Sequence, residues 1–435
     1  MKRSFLYTVA AALFIITTAG FVSCTSSAAN EATATTIDGV TVPALLERKT
    51  ENGPTGEKEQ IKATYDKAVA ALKANPDNAQ EYINLATAFI AEGRVTGNGS
   101  YYSNAAATML DKVINSQVAN KDMQFQALSL KSAVLLNMHQ FKEALDVAQK
   151  AVALNDYNAG IYGALVDANV ELGNYDAAVK ACDKMLSIRP DLRSYSRASY
   201  LRQIYGDNQG AIEAMKLAVE AGVPGSESTE WARVTLGDLY INTGKTDSAL
   251  YTYNASLTYR PGYPYAEIGL ARVDKAKQHY ADAIAHTKNA IRSMGESSFI
   301  LLLADLYELN GDKEQAMKVR SDVVRLLEDA EREQPKNAAL KHNANRELAN
   351  AYIGTGNLDK AWQYAQADLA IRPENIDANE LAAWVLYLKG DYTNAKMHAD
   401  KMLHMGTKNA NSLYKARLIY AAAGNKANQK LVVSK

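Results

Sequence analysis

The sequence predicts an all-α chain, a solenoid of short helix–turn–helix units, and three observations predict it. The first is a period. Glycines stand at Gly173, Gly206, Gly244, Gly311, Gly356, Gly390 and Gly424, with successive gaps of 33, 38, 67, 45, 34 and 34 residues, and Gln278 fills the slot inside the longest gap. The second is a fixed offset. Five residues past six of these glycines stands alanine (Ala178, Ala211, Ala249, Ala316, Ala361, Ala395), and Ala283 keeps the same offset from Gln278. The third is the spacing within each period, where apolar residues three and four apart make amphipathic helices and not strands. Composition agrees: 47% hydrophobic and 22% charged residues in a chain of 435 is globular and not disordered. Lys+Arg and Asp+Glu both number 48, so no global charge draws nucleic acid. Two cysteines exclude a disulfide framework and a four-cysteine zinc site.

Taken in chain order, residues 1–23 are an address and not part of the fold. Lys2 and Arg3 precede an uncharged, mostly apolar run from Phe5 to Val22, which ends in Phe21-Val22-Ser23-Cys24. This segment resembles a bacterial lipoprotein signal, with Phe21 where leucine is usual. The resemblance implies a signal peptide over 1–23, cleavage before Cys24 and acylation (palmitate among the acyl groups) of Cys24. It implies a lipid anchor in the bacterial cell envelope, at the outer membrane or the periplasmic face, and not the cytoplasm. An uncleaved anchor helix, for which about 18 apolar residues just suffice, or a secretory signal cut near Ala28-Ala29, would also export the chain. Cleavage before Cys24 leaves 46 basic against 48 acidic residues, a net charge of −2. Residues 24–57 then read as the lipidated cysteine and a flexible tether, rich in Thr, Ser and Ala and punctuated by Gly39, Pro43, Gly53, Pro54 and Gly56.

The remainder, residues 58–435, reads as one solenoid of about nine full repeats plus capping helices. A lone helix near 60–74 leads into units at 79–118, 121–157, 159–191, 193–223, 228–262, 263–294, 296–336, 339–375 and 376–408, with a partial unit at 409–431. Glycine in the slot supplies the left-handed conformation that ends the first helix of each unit. Small residues seven positions earlier (Gly237, Ala271, Ala304, Ala349) let antiparallel helices approach closely. Proline closes units at Pro190, Pro224, Pro261 and Pro373, where it interrupts no helix. Several units carry individual expectations. The first should turn at Gly93, with Val95–Tyr101 inserted between its helices. The second has His139 in the glycine slot and Ala144 at the offset. In the unit at 296–336 the second helix should run on through Arg320–Glu333, and polar Lys426–Gln429 should cap the array. Cys182 falls on an apolar helix side, as a buried small hydrophobe.

These positions resemble the tetratricopeptide repeat, a 34-residue helix–turn–helix, across about residues 60–431. Residues 228–262 hold nearly the whole signature in Leu236, Gly237, Tyr240, Gly244, Ala249, Tyr253 and Pro261. The resemblance implies a right-handed superhelix whose concave groove, lined by the first helix of each unit, binds protein or peptide partners as a scaffold. On the family's groove positions fall Arg193, Arg197, Tyr200, Trp231, Asp238, Asn242, Tyr265 and Arg272. An Arg–aromatic cluster of this kind suits an extended peptide bearing carboxylates, although the same residues could instead brace adjacent repeats. The paired-lysine carboxylate clamp of the family is not matched.

No catalytic motif is present: no HExxH, P-loop, GxSxG or dinucleotide fingerprint. The sequence therefore predicts no enzyme, no catalytic residues and no cofactor. Six histidines offer one metal-like set, His279, Asp282 and His286, but His279 stands beside a turn, so the expectation is no metal. A surface carbohydrate- or nutrient-binding helical lipoprotein, using exposed aromatics such as Trp231, is the alternative function.

Overall fold

The computed structural model describes residues 34–48, 53–337 and 340–424. The signal segment 1–23, Cys24 and the polar cap 426–429 lie outside the described residues. A hairpin of β1 (Thr35–Ile37) and antiparallel β2 (Val40–Val42) comes first, then α1 (Glu57–Ala74). Nine helix pairs follow among the described residues. They are α2 (Ala79–Thr96) with α3 (Gly99–Ile114), α4 (Lys121–Asn137) with α5 (Phe141–Leu154), and α6 (Ala159–Glu171) with α7 (Tyr175–Ile188). Next come α8 (Leu192–Ile204) with α9 (Asn208–Glu220), α10 (Glu227–Asn242) with α11 (Thr246–Tyr259), and α12 (Pro264–Ala276) with α13 (Tyr280–Ser293). The last are α14 (Ser297–Leu309) with α15 (Lys313–Arg332), α16 (Asn345–Thr355) with α17 (Leu358–Ile371), and α18 (Ile376–Lys389) with α19 (Tyr392–Leu403), before α20 (Ala410–Ala422) closes the array. The chain is an all-α solenoid, and each pair falls inside one expected unit to within a residue, α8 and α10 starting one residue early.

The local rules act as the sequence implies. Every glycine of the slot has positive φ, from Gly244 at 74° to Gly311 at 91°, and the two substitutes follow suit, His139 at 56° and Gln278 at 62°. The alanines of the fixed offset are buried at the contact between paired helices. Tyr253 shows why the small position must be small. Its ring lies between Gly237 and Gly269, and a Cβ on either would stand 2.4 or 2.5 Å from it. Asp207, Asp312, Asn357 and Asp391, each just past the slot, cap the following helix by accepting a backbone N–H. α15 runs to Arg332 and exposes Arg325 and Arg332, as its charge pattern requires. Cys182 is buried in an apolar cluster, and burial pushes its thiol up to about 11.

Two expectations need correction. The described part of the supposed tether is packed onto the fold. Ile37, Val40 and Val42 enter the apolar core of α1–α4. The Tyr65, Tyr101 and Tyr102 hydroxyls bond to the backbone of Pro43, Ala44 and Leu46. Arg48 joins buried Glu92 at 2.5 Å and Glu57 at 3.3 Å. Thr-Thr-Ile before and Val-Thr-Val after Asp38-Gly39 make a hairpin signal, masked by the turn-forming residues on either side. The second correction concerns the first unit, which turns at Gly97 (φ 71°) and not at Gly93. Gly93 lies inside α2 against Tyr102, so the extra residues lengthen both helices by about a turn and form no insert.

The superhelix closes on itself. The turn within one unit packs against the loop that joins the fifth and sixth units further on. Gly97 meets Met294; the His139 turn meets Lys341–Asn343; Glu171 and Tyr175 meet Arg372–Ile376; Gly206 meets Gly406. Glu57, ahead of the first unit, meets Arg260 at 3.0 Å on the same rule. The hydrogen-bonded pairs along these contacts stand 201 to 205 residues apart, so about six units complete one circuit and successive circuits touch along a continuous seam.

Candidate functional site

The concave face follows from which helices crowd. First helices of neighbouring units touch one another (α2 with α4, α4 with α6, α10 with α12, α16 with α18), while second helices make no comparable contacts. Curvature therefore turns the first helices inward, and α8, α10 and α12 carry all eight residues expected at the groove.

Four of the eight are engaged with neighbouring repeats. Arg197 forks onto Asp167 of α6, with Nε at 2.8 Å and Nη2 at 2.5 Å from the two carboxylate oxygens, and Nε also donates to the Gly163 carbonyl at 3.1 Å. Gly163 permits this, because a Cβ there would stand 3.0 Å from the guanidinium carbon. Asp238 and Arg272 pair at 3.1 Å across two units, and the Tyr253 hydroxyl donates to the same Asp238 oxygen at 2.7 Å. Tyr265 donates to Glu296 at 2.5 Å and packs edge-on against Phe299. Tyr200 and Trp231 are 41% and 43% exposed, large enough fractions to leave their rings available for contact. Tyr200 nonetheless faces Asp377, Glu171 and Tyr175, whose charges and enclosure hold its hydroxyl well above the ordinary range. Asn242 is half-buried on α10.

Arg193 differs from Arg197, one helical turn away. Among the described residues no hydrogen bond or ion pair holds its guanidinium. Arg193 is exposed; partial desolvation and the neighbouring charges of Arg94 and Arg197 lower its pKa, against Asp191, which raises it. Arg94 comes from the last turn of α2, three units earlier in the chain, and also acts on Glu227 at the start of α10. Three arginines, Arg193 unpaired among them, thus share one region of the concave face. Sequence position alone did not reveal Arg94, because its proximity depends on the curvature of the whole array.

The His279, Asp282, His286 set does not assemble. His286 bonds to Glu267 of α12 at 2.6 Å, which raises its pKa, while His279 is exposed and 4.0 Å from Asp274. The histidines that do meet are His139 and His342 at the seam, with ring centroids 4.7 Å apart. They lie too far apart in the chain for spacing to connect them. A cavity of about 1020 Å³ lies away from the arginine cluster, between the hairpin, α3 and Leu340.

Residues 135–203 match the tetratricopeptide repeat family model. No curated protein matches the chain. Among solved structures, the chain is similar to PilF of Pseudomonas aeruginosa, at 16% identity over 47% of this chain and 93% of that one, with a TM-score of 0.39. It is similar to PilW, a type IV pilus biogenesis factor, at 15% identity over 50% and 96% of the two chains, with a TM-score of 0.39. A thermophilic repeat protein of Thermus thermophilus aligns at 21% identity over 45% and 98%, with a TM-score of 0.34.

Proposed function

Because the chain is a tetratricopeptide repeat protein, we propose that it is an interaction scaffold that holds a carboxylate-bearing protein or peptide on its concave face. The observation that carries this reading is the unpaired Arg193 beside Arg94 and Arg197. Arg197 is neutralised by Asp167, but the Arg193 guanidinium has no bonded counter-charge of its own, and an entering carboxylate would supply one through charge-assisted hydrogen bonds. The half-exposed rings of Trp231 and Tyr200 supply flat apolar contact on the same inner helices. The scaffold would perform no catalysis. Its test is affinity. Partners captured from native envelopes and identified by mass spectrometry should bind the Arg94→Ala, Arg193→Ala double variant at least ~10-fold more weakly, about 1.4 kcal/mol. Unchanged affinity in that variant would exclude the cluster as the binding site.

The scaffold would stand at the envelope, exported and anchored through acylated Cys24, on the strength of the basic start, the apolar run and the cysteine that ends it. Labelling with radioactive palmitate should mark the wild-type chain and not Cys24→Ala; label retained in that variant sinks the anchor.

A further inference from the structure

At the seam, the turns that touch the next circuit carry glycine at Gly97, Gly173 and Gly206 but histidine at His139. The His139 ring reaches across to the loop before α16. Its Nδ1–H donates to the Asn343 carbonyl at 2.9 Å, and the Asn343 N–H donates to the Met138 carbonyl at 2.9 Å. His342 reaches back, bonding through its ring to the Asn137 carbonyl. A carbonyl only accepts, so each imidazole donates one N–H to backbone and keeps its second nitrogen as a lone pair. Backbone carbonyls orient metal-binding histidines in this way.

The third member is Glu347, in the first turn of α16. Its Oε2 is buried without a hydrogen-bond partner and lies 3.9 Å from His139 Nδ1, the nitrogen turned to Asn343, on the same imidazole whose Nε2 is left free for an ion. A buried carboxylate oxygen without a donor is costly unless a charge satisfies it. The two imidazoles and this carboxylate bring their ligating atoms within 4.8 Å of one another, the one such group among the described residues. Tetrahedral coordination at 2.0–2.2 Å sets ligands about 3.4 Å apart, so modest side-chain rotation would close the set. Arg346, 3.5 Å from the other Glu347 oxygen, and Arg372 add positive charge nearby. A hard cation held by charge alone would be disfavoured there, whereas an ion with strong affinity for imidazole nitrogen would not.

We propose that His139, His342 and Glu347 bind a divalent transition-metal cation of the zinc class, stapling one circuit of the superhelix to the next. The ion would take two ligands from one side of the seam and one from the other, leaving its fourth position for water.

The full chain, stripped with chelator and dialysed, should bind one Zn²⁺ per molecule, melt at a higher temperature when loaded, and give the visible absorption of tetrahedral Co²⁺ on titration with cobalt. His342→Gln and Glu347→Gln should each weaken Zn²⁺ binding at least ~10-fold and abolish the shift in melting temperature. His139→Gly should do the same while installing the residue best suited to that backbone, so loss of binding there would not reflect misfolding. His279→Gln, an exposed histidine elsewhere, should leave binding intact. Absence of stoichiometric Zn²⁺ on the wild-type chain would overturn the proposal, as would wild-type Zn²⁺ affinity in the three ligand variants.

Discussion

At the residue scale, one slot serves two physical purposes, and the sequence displays only one of them. Positive φ is common to all the turn glycines. At Gly244 a Cβ would meet nothing within 4 Å, whereas at Gly173 it would stand 2.6 Å from the Glu374 backbone and at Gly206 2.3 Å from the Gly406 carbonyl oxygen. The difference follows from the seam: only turns in the early units have a later circuit above them. Gly244→Ala should therefore cost about 1 kcal/mol for the left-handed conformation, while Gly173→Ala should add an overpacking penalty of about 1–3 kcal/mol. Gln278→Gly, at an exposed turn of the same kind, should raise stability by about 0.5–1 kcal/mol. Chemical denaturation of the three variants checks the order; equal losses at Gly173 and Gly244 would mean the seam is not closed there.

At the element scale, the helices were legible because each is specified by neighbours within one 34-residue period. Alanine at the offset, a small residue opposite and a turn residue between them are all local, so a linear reading finds them. It found the substitutes His139 and Gln278, and both adopt the left-handed turn. The reading failed where local signals conflict. In the first unit, Gly93 fits the turn pattern, but Gly97 one helical turn later ends α2, because Val95 is buried and extends the apolar stripe. In the segment before α1, glycine and proline suggest a tether, yet Arg48 is held by Glu92 and Glu57, which come from α2 and α1. The candidate site was legible to the same degree. Arg193 and Arg197 stand out by spacing, but which of them is paired depends on Asp167 in the preceding unit. Arg94, His342 and Glu347 join their partners only through curvature, for which the sequence carries no local signal.

At the scale of the whole molecule, the seam supplies a natural comparison among three Arg-Pro dipeptides. Arg189, Arg260 and Arg372 each end a second helix. Arg260 and Arg372 have an earlier circuit above them and are buried, the first on Glu57 and the Gly225 carbonyl, the second on Asp368 and Glu171. Arg189 lies too early to have one, and its side chain is 60% exposed beside Asp191. Replacing Arg372 by alanine strands buried Asp368, so a loss of about 3–5 kcal/mol is expected; Arg260→Ala should fall in the same range, and Arg189→Ala within about 0.5 kcal/mol. Melting curves showing the three variants alike would exclude the seam as a source of stability.

Contact across the seam also changes the kind of polymer this is. An open array of repeats behaves as a line, in which each unit leans only on the one before and the one after, so ends fray and the middle can open locally. Here each early unit has a further neighbour about 200 residues away, and the array becomes a small cylinder wall with bonds in two directions. Closing it requires bringing together distant parts of the chain, a slow, entropically costly step for an architecture whose other contacts are short in range. Once closed, opening an early unit breaks bonds along both directions, so the first and last thirds of the chain should melt as partners and not in succession.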